Sequence, residues 1–168
     1  MLPWGHDQTW NNAPYWSQWN APFVDTGALM TGKCVAYGPC AQLYNTALAD
    51  FTAGQWALCI DGFTTYLRSF SRTDLGDDAQ WYVGECYQQD GKFAEAIDAY
   101  NKVITNYPKG DRVPDAYYKR GIALSAMGQA DRARDSFEQL MKLYPDHDMA
   151  RMAKQQLDRL NRTKPRQN

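Results

Sequence analysis

An all-α solenoid of three stacked helix pairs, closed by a seventh helix, is the fold this sequence predicts, on three observations. Gly54, Gly91 and Gly128 recur at intervals of 37 residues. The apolar positions behind each glycine keep one register: Trp56, Phe93 and Ala130; Cys59, Ala96 and Ala133; Phe63, Tyr100 and Phe137; Tyr66, Val103 and Leu140; Leu67, Ile104 and Met141; Phe70, Tyr107 and Tyr144. Within one unit they fall three or four residues apart, as in Phe93, Ala96, Ile97, Tyr100, Val103, Ile104 and Tyr107, which puts them on one stripe of a helix. A unit that repeats in this way buries its apolar face against the next copy.

The remaining elements follow in chain order. A helical stretch precedes each glycine, roughly Ala41 to Ala53, Asp78 to Gln89 and Asp115 to Met127, and small residues at Ala47, Gly84 and Gly121 let the two helices of a pair approach closely. Each glycine supplies the left-handed conformation that ends the first helix, and Pro108 and Pro145 stop the second helix of their units. Asp77 is expected to cap the middle first helix, and Pro114 suits the first turn of the next, where its missing amide hydrogen is harmless. Met149 to Leu160 carries Ala150, Ala153, Leu157 and Leu160 on one face and closes the stack.

These residues resemble the tetratricopeptide repeat. The middle unit has the repeat's Gly84, Tyr87, Gly91, Ala96, Tyr100 and Pro108, and the third keeps Gly121, Leu124, Gly128, Ala133, Phe137 and Pro145. The first unit diverges, with Cys59 at the small-residue position and Ser71 in place of the proline. The resemblance implies a right-handed superhelical solenoid, with repeats at about 43–71, 77–108 and 114–145 and a capping helix at 149–160. Repeats ending in Tyr-Pro, with longer linkers RTDLGDDA and KGDRVPDA, three in a row and closed by one helix, are similar to the Tol-Pal-associated cell-division coordinators (CpoB/YbgF) over about residues 43–160. That likeness implies a periplasmic, non-enzymatic protein-binding scaffold that contacts TolA and a peptidoglycan synthase and couples wall synthesis to outer-membrane constriction. The outer-membrane assembly lipoprotein BamD is the second likeness; it normally has five repeats. The coordinators usually begin with a signal peptide and a trimerising coiled coil. Residues 1–42 stand in their place, through truncation, a foreign leader or a distinct segment, and without the coiled coil a monomer is expected.

Composition supports this organisation and narrows the function. At 168 residues the chain suits one domain. Residues 1–42 hold Trp4, Trp10, Trp16 and Trp19 with four prolines and three charged side chains, which disfavours regular helix; residues 43–160 carry 14 basic and 17 acidic groups, the balance of a soluble helical domain; and 161–168 reads as a solvated basic tail. With 18 Lys and Arg against 19 Asp and Glu, the chain lacks the electrostatic footprint of a nucleic-acid binder. No apolar run is long enough for a membrane span. Two histidines, His6 and His147, give few ligands for a closed zinc site, and no cofactor is expected.

In a stack of curved hairpins the first helices line the concave face, which places a partner groove there. The facing positions are Tyr44, Leu48 and Phe51 in the first repeat, Asp78, Trp81, Glu85, Gln88 and Gln89 in the second, and Asp115, Tyr118, Ile122 and Ser125 in the third. Aromatic anchors among polar neighbours suit a bound helix or extended peptide. Tyr44 and Phe51 also fit packing positions, whereas Gln80 at the usual packing position beside Trp81 leaves that indole for the groove. Cys34 and Cys40 flank a Gly38-Pro39 turn and either close a disulfide or stay free in the leader. Cys59 and Cys86 read first as small core residues, with pairing across adjacent repeats the second arrangement. No cysteine has a histidine beside it in sequence, so a Cys-His nucleophile is not supported. His147, in a linker, is read as a capping or exposed residue. The Trp-rich leader is expected either to fold back along the repeats and mimic a ligand or to pack irregularly at the end of the stack.

Overall fold

The structure is a computed structural model that describes residue 34 and residues 38–163. The described chain forms seven helices: α1 Gly38–Thr52, α2 Trp56–Phe70, α3 Gly76–Gln89, α4 Phe93–Asn106, α5 Val113–Ala126, α6 Ala130–Leu143 and α7 Asp148–Thr163. They pair as α1/α2, α3/α4 and α5/α6, each pair packs on the next, and α7 covers α6 and α5. Residues 1–33 and 35–37, on which the fold-back expectation falls, and residues 164–168 lie outside the described residues.

The turn inside each pair is the same. Gly54, Gly91 and Gly128 have φ of 71°, 75° and 73°, the left-handed region that glycine adopts at no steric cost. Around Gly91, the amide of Lys92 returns to the carbonyl of Tyr87 at 2.9 Å, and Gln129 returns to Leu124 in the same way at 2.9 Å. The second helices start immediately afterwards with their apolar stripe already facing inward. Phe63, Tyr66, Tyr100, Val103, Phe137 and Leu140 are all fully buried, so the two middle aromatic and aliphatic columns of the register are core, while the columns of Trp56 and Leu67 are half-buried.

Within the second and third pairs a ring lies flat against a glycine. A Cβ built on Gly84 would stand 2.5 Å from Tyr100 Cε1, and one on Gly121 would stand 2.4 Å from Phe137 Cε1. No side chain fits there, so the helix crossing itself requires glycine. In the first pair the close approach moves across the interface: a Cβ on Gly62 would meet the Ala47 Cβ at 2.8 Å.

The first repeat ends without proline by a different device. The Thr73 amide and hydroxyl both donate to the Phe70 carbonyl, at 3.1 and 2.8 Å, which satisfies a helix end that proline would otherwise have terminated. Tyr107, from the second repeat, donates to the Ser71 carbonyl at 2.9 Å and ties that turn to the next unit.

Four expectations are corrected. Helix α1 begins at Gly38, inside the segment whose composition disfavours helix, because Pro39 is tolerated in a first turn and Cys40 is tied to Cys34 by a disulfide. Asp77 does not cap α3, which starts at Gly76 after Leu75, since Gly76 N–H closes a turn onto Thr73. The last helix continues through Thr163 rather than stopping at Leu160; Arg162 Nε donates to the Asp158 carbonyl at 3.2 Å and favours the end of that helix. Cys59 and Cys86 are not free core thiols but are joined, stapling α2 to α3 with Cα atoms 6.3 Å apart.

Two outcomes follow from this packing. Gly121→Ala should lower stability by about 1–2 kcal/mol in denaturant melts, because ring displacement outweighs the roughly 1 kcal/mol gain in helix propensity; a stabilised variant would contradict the close approach. Replacing both Cys59 and Cys86 by alanine, the residue found at Ala96 and Ala123 one repeat later, should cost about 3–4 kcal/mol by loss of the crosslink. The same melts, with and without reductant, measure it, and reductant should not change the variant's melt by that amount.

Candidate functional site

The inner wall of the stack is built by α3 and α5, which the 37-residue period brings side by side. Two charge pairs cross between them. Arg112, in the linker just before α5, donates through Nε to Asp78 Oδ1 at 2.5 Å, and Lys119 Nζ donates to Glu85 Oε2 at 2.7 Å. Asp78 and Glu85 are seven residues apart on α3, as are Arg112 and Lys119, so the pairs form two rungs of one ladder.

Trp81 sits between the rungs. The Arg112 guanidinium carbon is 4.8 Å from its ring centroid and the Lys119 ammonium 5.6 Å, both within cation–π range. The indole is half-buried, and its Nε1 is buried without a hydrogen-bond partner among the described residues. Gln80 beside it turns away from the wall, with Nε2 donating to the Ala99 carbonyl at 3.4 Å.

Glu85 is anchored from behind. It is 4% exposed, and Tyr100 donates its hydroxyl to Glu85 Oε1 at 2.5 Å, with Gln88 Oε1 3.2 Å from the same hydroxyl oxygen. Burial and then the Glu85 charge push the Tyr100 phenol far above its ordinary value, so it stays a donor. A buried carboxylate that accepts from a phenol and an ammonium is compensated, and that fixes where Lys119 stands. Burial pulls the Arg112 guanidinium down, but the hydrogen bond and charge of Asp78 outweigh it and raise it overall.

At the outer end of the ladder Asp77, Asp78 and Asp111 bring carboxylate oxygens within 4.8 Å of one another. Arg112 neutralises Asp78. Burial first, then a hydrogen bond with Asp111 and the Asp78 charge, raise the pKa of Asp77 and favour its protonated form. Asp115, half-buried on the same wall, is also raised by desolvation.

The other residues that spacing places in the groove divide by repeat. Tyr44 is buried, edge-on to Phe63, Tyr66 and Tyr82, and belongs to the core. Leu48 and Phe51 are half-buried against that core, with Phe51 on Trp56 and Tyr82. Tyr118 is buried against Phe137, and its hydroxyl accepts from Gln156 Nε2 of α7 at 3.3 Å. Ile122 and Ser125 are half-buried and Gln89 is exposed. Asp78, Trp81, Glu85 and Asp115 are therefore gathered on one wall, whereas Tyr44 and Tyr118 point into packing. His147 Nδ1 accepts the Met149 amide at 3.2 Å, a capping contact at the start of α7. Sequence reasoning missed Arg112 and Lys119. The available signal was the period itself, since opposite charges 34 residues apart, at Asp78 and Arg112 and at Glu85 and Lys119, face each other when a 37-residue unit stacks.

The tetratricopeptide-repeat family model matches residues 77–146. Among solved structures, the chain is similar to the Arabidopsis OM64 tetratricopeptide-repeat domain, with 17% identity and TM-score 0.59 over 71% of this chain and 94% of that one. It is similar to the first such domain of Spaghetti (RPAP3) bound to the HSP90 peptide SRMEEVD, with 20% identity and TM-score 0.59 over 73% of this chain and 90% of that one. The Sgt2 domain of Aspergillus fumigatus has 16% identity and TM-score 0.59 over 79% of this chain and 88% of that one. No curated protein matches in sequence. The fold is thus a tetratricopeptide-repeat superhelix.

The raised Asp77 pKa gives a pH-dependent outcome. The folded state binds that proton more readily than the unfolded chain, so its stabilising effect is complete below the ordinary aspartate value of about 3.9 and is lost as pH rises through the raised value. Asp77→Asn, permanently neutral, should melt a few degrees higher than the native protein at neutral pH, and that difference should close toward about pH 3. Melting curves across the range test it; an offset independent of pH would contradict the assignment.

Proposed function

We propose that this protein is a peptide-binding scaffold whose concave wall, centred on Trp81, receives a segment of a partner protein. The observation that carries this reading is the half-buried indole held between Arg112 and Lys119 on the inner wall. A bound segment would pack on the accessible part of the ring, which supplies contact area at low entropy cost. Two similar folds have peptides bound, SRMEEVD of HSP90 and SGPTIEEVD of HSP70, which supports a peptide as the class of ligand. The action is binding, without catalysis.

At finer grain we infer the role of a Tol-Pal-type coordinator, with TolA and a peptidoglycan synthase as partners and the periplasm as the compartment. The residues that carry this are three repeats, the second and third ending in Tyr-Pro, with extended linkers and one closing helix. Two disulfides, Cys34–Cys40 and Cys59–Cys86, support an oxidising compartment.

Calorimetric titration of the full chain with TolA and with a peptidoglycan synthase tests both levels. Binding in the micromolar range is expected for at least one, weakened about tenfold or more by Trp81→Ala at a temperature where circular dichroism shows the variant folded. Failure with both partners removes the coordinator role; binding unaffected by Trp81→Ala removes this wall as the site.

A further inference from the structure

The charges that frame Trp81 are satisfied by one another. Asp78 takes Arg112 and Glu85 takes Lys119, so the two rungs present no net charge. What they leave accessible is aromatic. Four half-buried rings run from the first repeat to the Trp81 wall in edge contact: Trp56 to Phe51 with centroids 5.8 Å apart, Phe51 to Tyr82 at 5.2 Å and Tyr82 to Trp81 at 5.1 Å. Leu48 is half-buried beside Phe51 and Tyr82. Such a surface favours an occupant rich in aromatic side chains and poor in charge.

The chain carries such a segment, and its point of attachment lies beside the wall. Cys34 is fully buried and crosslinked to Cys40 in the first turn of α1, and its amide donates to Asp74 Oδ1 at 2.8 Å. Asp74 stands two residues before α3, and Asp78, the acid of the first rung, follows four residues later. Four residues span at most about 14 Å of chain, so the leader is fastened close to that rung. The 33 residues before Cys34 hold Trp4, Trp10, Trp16 and Trp19, and only Asp7, Asp25 and Lys33 among them are charged. Trp19 and Trp4 precede Cys34 by 15 and 30 residues. Those are reaches of up to roughly 50 and 100 Å, against about 21 Å for the 14 residues of α3.

We propose that this aromatic run binds the chain's own leader, residues 1–33, whose tryptophans pack on it and close the wall to a partner until displaced. The inference rests on the reading of the Trp81 wall as a peptide-receiving surface and names its occupant when no partner is bound. Charge selects the leader over an acidic segment such as the HSP90 peptide SRMEEVD of the similar fold. Arg112 and Lys119 already hold carboxylates, so a further acidic group would have to break a rung, whereas an indole packs on rings and on the guanidinium face with both rungs intact. Attachment at Cys34 makes the encounter intramolecular. A short flexible tether gives an effective concentration in the millimolar range, at which individually weak ring contacts fill the wall.

The test uses the isotope-labelled full chain with no partner present. Amide NMR spectra of the native protein are compared with those of the fourfold variant Trp4→Ala, Trp10→Ala, Trp16→Ala, Trp19→Ala, which alters none of the seven helices. Shifts are expected over residues 48–56 and 78–85, identical at every protein concentration, and none at the exposed α4 positions Asp98 and Lys102. Trp81→Ala in the otherwise native chain should in turn move the indole N–H signals of the leader; if that variant does not fold, the fourfold variant decides. With p-benzoylphenylalanine in place of the exposed Thr52, next to Phe51, irradiation should yield a product of monomer mass joined to a peptide from residues 1–33. Unchanged wall amides in the fourfold variant, leader signals indifferent to a folded Trp81→Ala chain, or a crosslink that misses the leader or joins two copies would each overturn the proposal. The partner titration reads separately: TolA and the synthase can both fail while this contact holds, and this contact can fail while either binds.

Discussion

The arrangement depends on two aromatic rings resting on bare backbone. Tyr100 over Gly84 and Phe137 over Gly121 set how closely the helices of a pair approach, since even one methyl at either glycine would stand well inside contact distance of the ring. That spacing fixes the tilt of each hairpin, and each hairpin is the surface on which the next is laid. In the second repeat the same ring also carries the polar chemistry: the hydroxyl of Tyr100 reaches through the pair to Glu85 on the inner wall. Core packing and site geometry are therefore set by one side chain.

Neighbouring repeats are joined by different physical means at each junction. Between the first and second, a buried crosslink from Cys59 to Cys86 occupies columns where the rest of the stack has alanines. Between the second and third, Arg120 gathers acceptors from α4 and α6, and the Asp78–Arg112 and Glu85–Lys119 rungs close the opposite side. A stack gains cohesion only from contacts with adjacent units, so each junction needs its own fastening. The charged fastenings are half-buried, where a partner for each charge matters more than the attraction itself.

The inner wall is consequently not a uniform groove. Its first-repeat part is aromatic packing, with Tyr44 withdrawn into a cluster of Phe63, Tyr66 and Tyr82. Its middle is an indole between cations. Its far part is closed by α7, which engages the Tyr118 hydroxyl through Gln156. Aromatic surface and charge meet on this wall at the second repeat, where Arg112 and Lys119 flank Trp81.

The sequence by itself determined the number of helices, the turn glycines, the buried stripe and the small residues beneath the rings, because each is a local pattern copied at a constant interval. Periodicity is blind to what differs between copies, and that is where tertiary structure decided. Whether Tyr44 lines a groove or fills a core depended on rings brought from α2 and α3. The pairing of Cys59 with Cys86 depended on the distance between helices of different repeats, and the roles of Arg112, Lys119 and Arg120 depended on acceptors 16 to 34 residues away. Helix boundaries at Gly38, Gly76 and Thr163 also escaped local rules, since turn hydrogen bonds and a crosslink outweighed composition there. Backbone geometry follows from short-range sterics and is legible in one dimension; side-chain partnership needs the third.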